Sequence, residues 1–529
     1  MTSQFIVPNH ACFNAVGAGI EKSWSLSMKS AKTQEASDGL ADGRDTRETH
    51  HGSFLFATEK RIRSFSFLGL LGSISERLTS IGLDDMTSPT GMQAMMAYWE
   101  RLHAINAVHI AEVSYEISRT DLQAAGDRLF RKFFDAEPGG WPTLSANHSA
   151  EYHQIKARFD ALPQNNSHPL EGIVTNLLNE PFGDDEPPFR YGLAENSRVR
   201  YLWLTYRHSI ADSRSVAMLL QNLQEELAWT GYEELPLGIE RTKLSLLDFF
   251  PQEACRTNLL RSLGPSINTL WKLNRCHRRP PADPTDFEMT FQVHADHLPL
   301  TQVRQRAKQL NSTVGELVTA AMLDWFIEQD RPLPRNIFSP NRCVSVMADL
   351  AGRAEPKRLH LFGQFLSPLN ISANSYRQWS FEELVQNVSQ SFRDRNSVTQ
   401  NLRTLRGLRI NSFLAQQLNR SFANAYQEFL FPVSGALSNV QMSSVLPPPR
   451  TPLSVDNYIR GTCATQFSPM ILCFTTIKDH CTVTSSHRST VYTNEEMRDL
   501  ADHIMNRAFG VVAGAATVQQ IRTDDRIAA

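Results

Sequence analysis

Long hydrophobic runs are missing from this chain. No apolar stretch reaches the roughly 18 residues that a membrane-spanning helix needs, so stable membrane insertion is not expected. An excess of one charge is missing too. Lys and Arg number 53 and Asp and Glu 55, a formal net charge of −2, so no global field draws the protein to nucleic acid or an anionic membrane. Cysteine is sparse: seven, at 12, 255, 276, 343, 463, 473 and 481, odd in number and without a CxxC pair. Free, mostly buried thiols in a reducing cytosol are the expectation. The N-terminus, MTSQFIVPNHACFNAVGAG, lacks the basic start and long apolar stretch of a secretory signal, and a cytoplasmic location is expected. A G-x-S-x-G elbow, a P-loop and a G-x-G-x-x-G turn are also absent. What remains is the make-up of a globular protein, 41% apolar and 20% charged, and 529 residues are enough for more than one domain.

Residues 22–52 are polar and without periodicity, and are expected to be a flexible stretch in which His50–His51 is solvated rather than metal-binding. From about residue 90 the pattern becomes orderly. AVHIAEVSYEIS (107–118) alternates like a strand, and Thr120 can cap a helix with Leu122, Ala125, Leu129 and Phe133 on one face. RVRYLWLTY (198–206) is apolar on both faces, which predicts an interior strand. Val216, Leu219, Leu220, Leu223 and Leu227 then recur at helical spacing.

The basic, proline-rich WKLNRCHRRPPADPTD (271–286) interrupts this order and reads as a solvated linker, with a phosphate contact as the sharper alternative. Beyond it the grammar repeats. FEMTFQVHA (287–295) is a strand candidate. Thr313 with Glu316, Ser380 with Glu383 and Thr493 with Glu496 are capping boxes opening helices. PMILCFTTI (469–477) and HCTVTSSH (480–487) form a strand pair turned by Lys478–Asp479. The expected division is an N-terminal extension, partly flexible, over 1–85; a mixed α+β lobe over 86–270; the linker 271–286; a second α+β lobe over 287–512; and a tail over 513–529.

One short stretch draws attention, YRHSIADSRS (206–215). A bare H-x-x-x-D arises by chance roughly once in a chain this long, and an ordinary His beside a helix cap is the bland reading. Its setting argues for more. A strand end followed by a helix start is a rigid place to hold a reactive side chain, and an imidazole with a pKa near 6.5 can take and return a proton at neutral pH. Asp212 can orient His208, or lie at the helix N-terminus where its charge is favoured and reach an Arg. No metal set emerges: His294-x-x-His297 falls on a predicted strand and its exit, where the spacing need not converge on one ion.

The order of these elements resembles the chloramphenicol-acetyltransferase-like superfamily, which includes condensation domains, polyketide-associated acyltransferases, wax-ester synthases and plant acyltransferases. Its mark is H-H-x-x-x-D-G after an interior strand, here Arg207-His208-Ser209-Ile210-Ala211-Asp212-Ser213. GMQAMMAYWERLHAINAVHIAEV (91–113), VGELVTAAML (314–323), VSVMADLAGR (344–353), GALSNVQ (435–441) and residues 468–500 resemble further family segments in order. The resemblance covers about 90–510. Arg207 stands for the first His and Ser213 for the Gly, a position where a tight backbone favours Gly. Val440-Gln441 displace the expected Gly after Asn439.

The resemblance implies an α+β fold of two similar mixed-sheet lobes with the active-site tunnel between them. It implies that His208 is the general base for an acceptor hydroxyl or amine, which attacks the carbonyl of an acyl thioester. Asp212 holds the motif's shape, with Arg353 as its candidate partner; Ser438 and Asn439 are the candidates for the oxyanion or the tunnel wall. No cofactor or metal is bound. The donor is acyl-CoA or an acyl group on a carrier protein's phosphopantetheine arm, and the acceptor is a small molecule. Arg207, Arg214 and the 275–279 cluster are available for the mouth of the tunnel. The expected protein is a monomeric, free-standing acyltransferase or condensation enzyme of secondary metabolism, forming an ester or amide. Two alternatives stand beside it: a non-catalytic docking or scaffold protein, and a wax-ester or diacylglycerol-type lipid enzyme for which Phe65–Leu71 would be the apolar patch.

Overall fold

A computed structural model describes residues 91–135, 155–163, 168–184, 186–229, 235–241, 250, 275–283, 285–331, 340–354, 360–416, 432–446, 455–465 and 468–510. The expectations for His50–His51 and Phe65–Leu71 lie outside them.

The architecture is α+β with two mixed sheets, as expected. The first half supplies helix α1 (Gly91–Glu100), β1 (Asn106–Val113), α2 (Arg119–Asp135), β2 (Arg158–Ala161), α3 (Glu171–Asn179), β3 (Phe189–Glu195), β4 (Arg200–Arg207), α4 (Ser213–Ala228) and β5 (Glu240–Arg241). The second supplies β6 (Met289–Pro299), α5 (Leu300–Gln309), α6 (Val314–Asp330), β7 (Asn341–Asp349), β8 (Leu361–Phe362), β9 (Leu366–Asn374), α7 (Phe381–Arg395) and α8 (Val398–Gln416). It continues with β10 (Gly435–Gln441), the short α9 (Met442–Val445), β11 (Val455–Thr462), β12 (Met470–Ile477), β13 (His480–Arg488) and α10 (Asn494–Ile504).

Local chemistry explains several element boundaries. The three capping boxes open α6, α7 and α10, each with the side-chain oxygen accepting from the N3 amide and the Glu carboxylate reaching back. Lys478 takes the left-handed backbone (φ 49°) that turns β12 into β13. At α2 the cap is Ser118 rather than Thr120: Ser118 Oγ accepts from the Asp121 amide at 3.1 Å. Leu122, Ala125, Leu129 and Phe133 of that helix are buried, as its spacing predicts.

The two large sheets run β11-β1-β4-β3-β2 and β6-β13-β12-β10-β7-β9, and β5 pairs in parallel with β8 in a separate two-stranded sheet. In the first sheet β2 joins β3 in parallel, and in the second β10 runs parallel to both β7 and β12; the remaining pairs in both are antiparallel. Strand β4 is interior, flanked by β1 and β3 and buried from Tyr201 to Tyr206, which is why its sequence is apolar on both faces. Sheet membership crosses the 271–286 segment. β11, far along the chain, pairs with β1 so that Arg460 lies opposite His109 and Thr462 opposite Ala107.

One apolar core fills the space between α2, α4 and the first sheet, and another lies between α5, α6, α7, α10 and the second. Residues 275–283 are not a freely solvated connection. His277 meets Asp330 at 3.1 Å, and Arg279 pairs with Glu496 at 2.6 Å and lies over the Tyr492 ring.

Candidate active site

Strand β4 ends at Arg207, and a tight turn carries the chain into α4. His208 donates its amide to the Ile105 carbonyl at 2.8 Å, and Ile210 donates to the Arg207 carbonyl. The His208 side chain is buried, with Nδ1 at 3.2 Å from the Ala211 carbonyl. A carbonyl only accepts, so Nδ1 carries the hydrogen. The neutral ring then presents Nε2 as a lone pair, and that nitrogen has no hydrogen-bond partner among the described residues. Burial pushes the imidazole down to about 4; the Ala211 carbonyl and Asp212 pull it up, and Arg460 pushes it further down. The ring is therefore neutral at pH 7, the form a general base needs.

Asp212 does not bond His208. It caps α4: Oδ1 accepts from the Ser215 amide at 2.9 Å while its backbone stays extended. Oδ2 accepts from the Phe365 amide at 3.1 Å, and the Asp212 amide donates to the Gly363 carbonyl at 2.9 Å. Its cation is Arg214, 3.7 Å away. Arg353, the partner proposed from sequence, points elsewhere: its guanidinium donates to the Asn396 carbonyl at 2.5 Å. Arg214 lies on the first turn of the helix that Asp212 caps, so its approach is local, whereas Arg353 sits beyond the end of β7.

Segment 361–365, LFGQF, locks the motif from the second half of the chain. The Gln364 amide donates to the His208 carbonyl at 3.0 Å and the Ala211 carbonyl at 3.4 Å. Ser215 Oγ donates to the Gly363 carbonyl at 3.0 Å. Sequence reading passed over this segment, because its part depends on a contact across more than a hundred residues.

The two departures from the family motif have distinct settings. Arg207 lies 3.7 Å from Glu100, donates to the Gly183 carbonyl and sits over the Phe182 ring. Ser213 takes helical backbone and is not among the residues with positive φ, so the conformational freedom of Gly is not required here. Of the cations expected for a tunnel mouth, Arg207 pairs with Glu100, buried Arg214 with Asp212 and Arg279 with Glu496, so these three are engaged by carboxylates of this chain.

Ser438 and Asn439 are adjacent on β10 and so face opposite sides of the sheet. Ser438 Oγ accepts from Arg460 at 3.0 Å. The Asn439 amide lies against Gly315 at the start of α6, 3.0 Å from where a Cβ would stand. They do not converge on one oxyanion, and it is Ser438 that shares Arg460 with Ser213, the residue after Asp212.

Arg460 itself was missed. It is fully buried on β11, opposite His109. A lone Arg inside the apolar strand YIRGT was the available signal. His109 is buried in the same place, accepting or donating at 2.8 Å with Tyr458 Oη, and burial holds its pKa well below the usual value. His294 and His297 go different ways, His294 to Ser485 Oγ at 2.7 Å and His297 to Asp296 and the His480 ring. No group among the described residues is arranged to hold a metal ion, and no described helix is long and apolar enough to cross a membrane.

The first similar solved structure is the trichothecene 15-O-acetyltransferase TRI3 of Fusarium sporotrichioides, with a TM-score of 0.59 over 79% of this chain and 94% of that one, at 11% identity. The condensation domain of the monacolin K polyketide synthase MokA matches with a TM-score of 0.51, over 78% and 97%, at 12% identity. The chain has the chloramphenicol-acetyltransferase-like fold. The cyclization-docking bidomain of EpoB from Sorangium cellulosum shares it, with a TM-score of 0.53 over 89% and 94% at 13% identity. No model of a known family matches the sequence, and no curated protein does. At these identities the likeness is one of fold, and the chemistry of this member of the fold has to be argued from its own site.

Proposed function

We propose that the protein is an acyltransferase or condensation enzyme that moves an acyl group from a CoA or carrier-protein thioester to a hydroxyl or amine of a small acceptor. The observation that carries this is His208: a buried, neutral imidazole whose Nδ1–H is committed to the Ala211 carbonyl, leaving Nε2 as a base. The presence of a named acetyltransferase and of condensation domains among the structural neighbours supports the reading.

In this mechanism Nε2 takes the proton from the acceptor O–H or N–H as the acceptor oxygen or nitrogen bonds to the thioester carbonyl carbon. The resulting oxyanion is met by a hydroxyl, for which Ser438 is the candidate. The tetrahedral species collapses, the C–S bond breaks, and His208 returns the proton to the departing thiolate. Asp212 takes no proton; it holds the turn that aims His208. The family departures at Arg207 and Ser213 leave this chemistry intact, since neither replaces the base or its tautomer-setting carbonyl.

The test is incubation with acyl-CoA and acyl-carrier-protein panels and hydroxyl or amine acceptors, read by intact-protein mass of the carrier and by product mass. Acyl loss that requires acceptor and disappears in His208→Ala is the expected result. Turnover unchanged in His208→Ala overturns the general-base role, and a wild-type protein inert to every thioester favours a docking or scaffold protein.

A further inference from the structure

The guanidinium of Arg460 has five N–H bonds, and each finds an acceptor. Nε donates to Thr475 Oγ1 at 2.9 Å; one terminal nitrogen donates to Ser213 Oγ at 3.1 Å and to Ser438 Oγ at 3.0 Å; the other donates to the Ser438 carbonyl at 2.8 Å and the Phe474 carbonyl at 3.3 Å. These partners come from three places: the start of α4, strand β10 and strand β12. Arg460 on β11 of the first sheet therefore ties the residue after the motif Asp to the second sheet.

We propose that Arg460 is a positioning residue for acyl transfer, joining Ser213 to Ser438 through one nitrogen so that the Ser438 hydroxyl keeps its hydrogen for a substrate oxyanion. This rests on the acyl-transfer reading above. A hydroxyl that accepts from Arg must turn its own single hydrogen elsewhere; the Ser213 hydroxyl lies beside the Tyr206 phenol, whereas Ser438 Oγ has no hydrogen-bond partner but Arg460 among the described residues. With every N–H engaged, Arg460 has no donor left for a substrate carboxylate, and its role is to hold rather than to bind. Ser213, in the place where the family motif has Gly, supplies an acceptor that Gly cannot.

Charge adds a second effect. Among the described residues Arg460 has no ion-pair partner, so its five acceptors are all neutral groups. A buried, uncompensated cation disfavours a second positive charge nearby and favours a developing oxyanion. The groups facing His208 are Asp212 and the Ala211 carbonyl on its own turn, the Tyr206 ring on β4 at 5.6 Å, Arg460 on β11 and His109 on β1; of these Arg460 opposes protonation of His208, and His208 in turn opposes that of His109. Lys, with three donors on a point charge, would keep the field but not the bridge.

The experiment compares wild type with Arg460→Gln, Arg460→Lys and Ser213→Ala, measuring kcat, KM for the thioester and the pH profile of kcat/KM. His208 is also titrated by NMR of the labelled imidazole, assigned by its loss in His208→Ala. Arg460→Gln is expected to lower kcat about 100-fold with little change in KM, and to move the acidic limb and the His208 titration up by about one pH unit. Arg460→Lys and Ser213→Ala are expected to lower kcat about 10-fold with the limb in place. Wild-type kcat and limb in Arg460→Gln, or, should that variant not fold, wild-type kcat in both other variants, overturns the proposal. If wild type turns over no thioester, the acyl-transfer reading fails by itself. The NMR titration then decides for Arg460: an upward move in Arg460→Gln supports its hold on the site, and none overturns it.

Discussion

The backbone N–H of Phe365 donates to Oδ2 of Asp212 at 3.1 Å, so a strand entry from the second half of the chain helps set the turn that aims His208. The carboxylate is simultaneously helix cap, acceptor from β9's approach and counter-ion to Arg214. Its geometry, rather than its acidity, is what the site uses.

Replacing Asp212 should therefore harm stability as well as activity. Asp212→Ala leaves Arg214 buried without its near carboxylate and two amides without an acceptor, a loss of about 3 kcal/mol or more. Asp212→Asn keeps the cap and is expected to cost roughly half of that. Urea unfolding of the two variants checks the order; equal stability to wild type in Asp212→Ala would refute this account.

His208→Ala should do the reverse. The side chain makes one hydrogen bond, to the Ala211 carbonyl, so the melting temperature should stay within a few degrees of wild type while kcat falls about 100-fold to 10,000-fold. Thermal unfolding and thioester turnover measured on the same preparation separate the two effects.

Arg214 and Arg353 offer a direct comparison. Arg214 is buried beside Asp212 and Asp349, and also donates to the Leu361 carbonyl at 3.2 Å. Arg353 holds the Asn396 carbonyl. Arg214→Ala is expected to destabilise by about 3 kcal/mol and to abolish turnover, and Arg353→Ala by about 1 kcal/mol with turnover kept. A larger loss from Arg353→Ala would restore the partner that sequence alone suggested.

Mild acid should destabilise the protein through its buried histidines. Burial is the leading cause holding His208 and His487 down to about 4 and His294 to about 3, with His109 also well below its usual value. An unfolded His has a pKa near 6.5. Below that pH the unfolded chain binds protons that the folded chain refuses, so stability is full above about pH 6.5 and falls as pH drops toward 4. Melting temperatures from pH 7 to 4.5 should decline through this window. His294→Gln, which can still bond Ser485, should flatten the slope.

Gln364 is a test of the segment that sequence reading overlooked. Gln364→Ala removes the donor to the His208 and Ala211 carbonyls and is expected to cost about 1–2 kcal/mol and to lower kcat more than it raises KM. Urea unfolding and steady-state kinetics provide the measure.

The sequence by itself determined the local grammar of this protein. Periodicity marked β4 as interior and α4 as a helix, though not that α4 is buried on all sides from Ser213 to Glu226; capping boxes marked α6, α7 and α10, and strand-turn-helix spacing brought out His208 and Asp212, because each of these signals is carried by residues close together in the chain. Tertiary structure alone decided the partners. Arg214 rather than Arg353 beside Asp212, Phe365 and Gln364 on the motif turn, the parting of Ser438 from Asn439, and Arg460 between Ser213 and Ser438 all depend on which strands become neighbours. β11 reaches β1 from some 350 positions away. A cation buried on such a strand is chosen by acceptors on other elements, and no periodicity along its own few residues records where those acceptors will be.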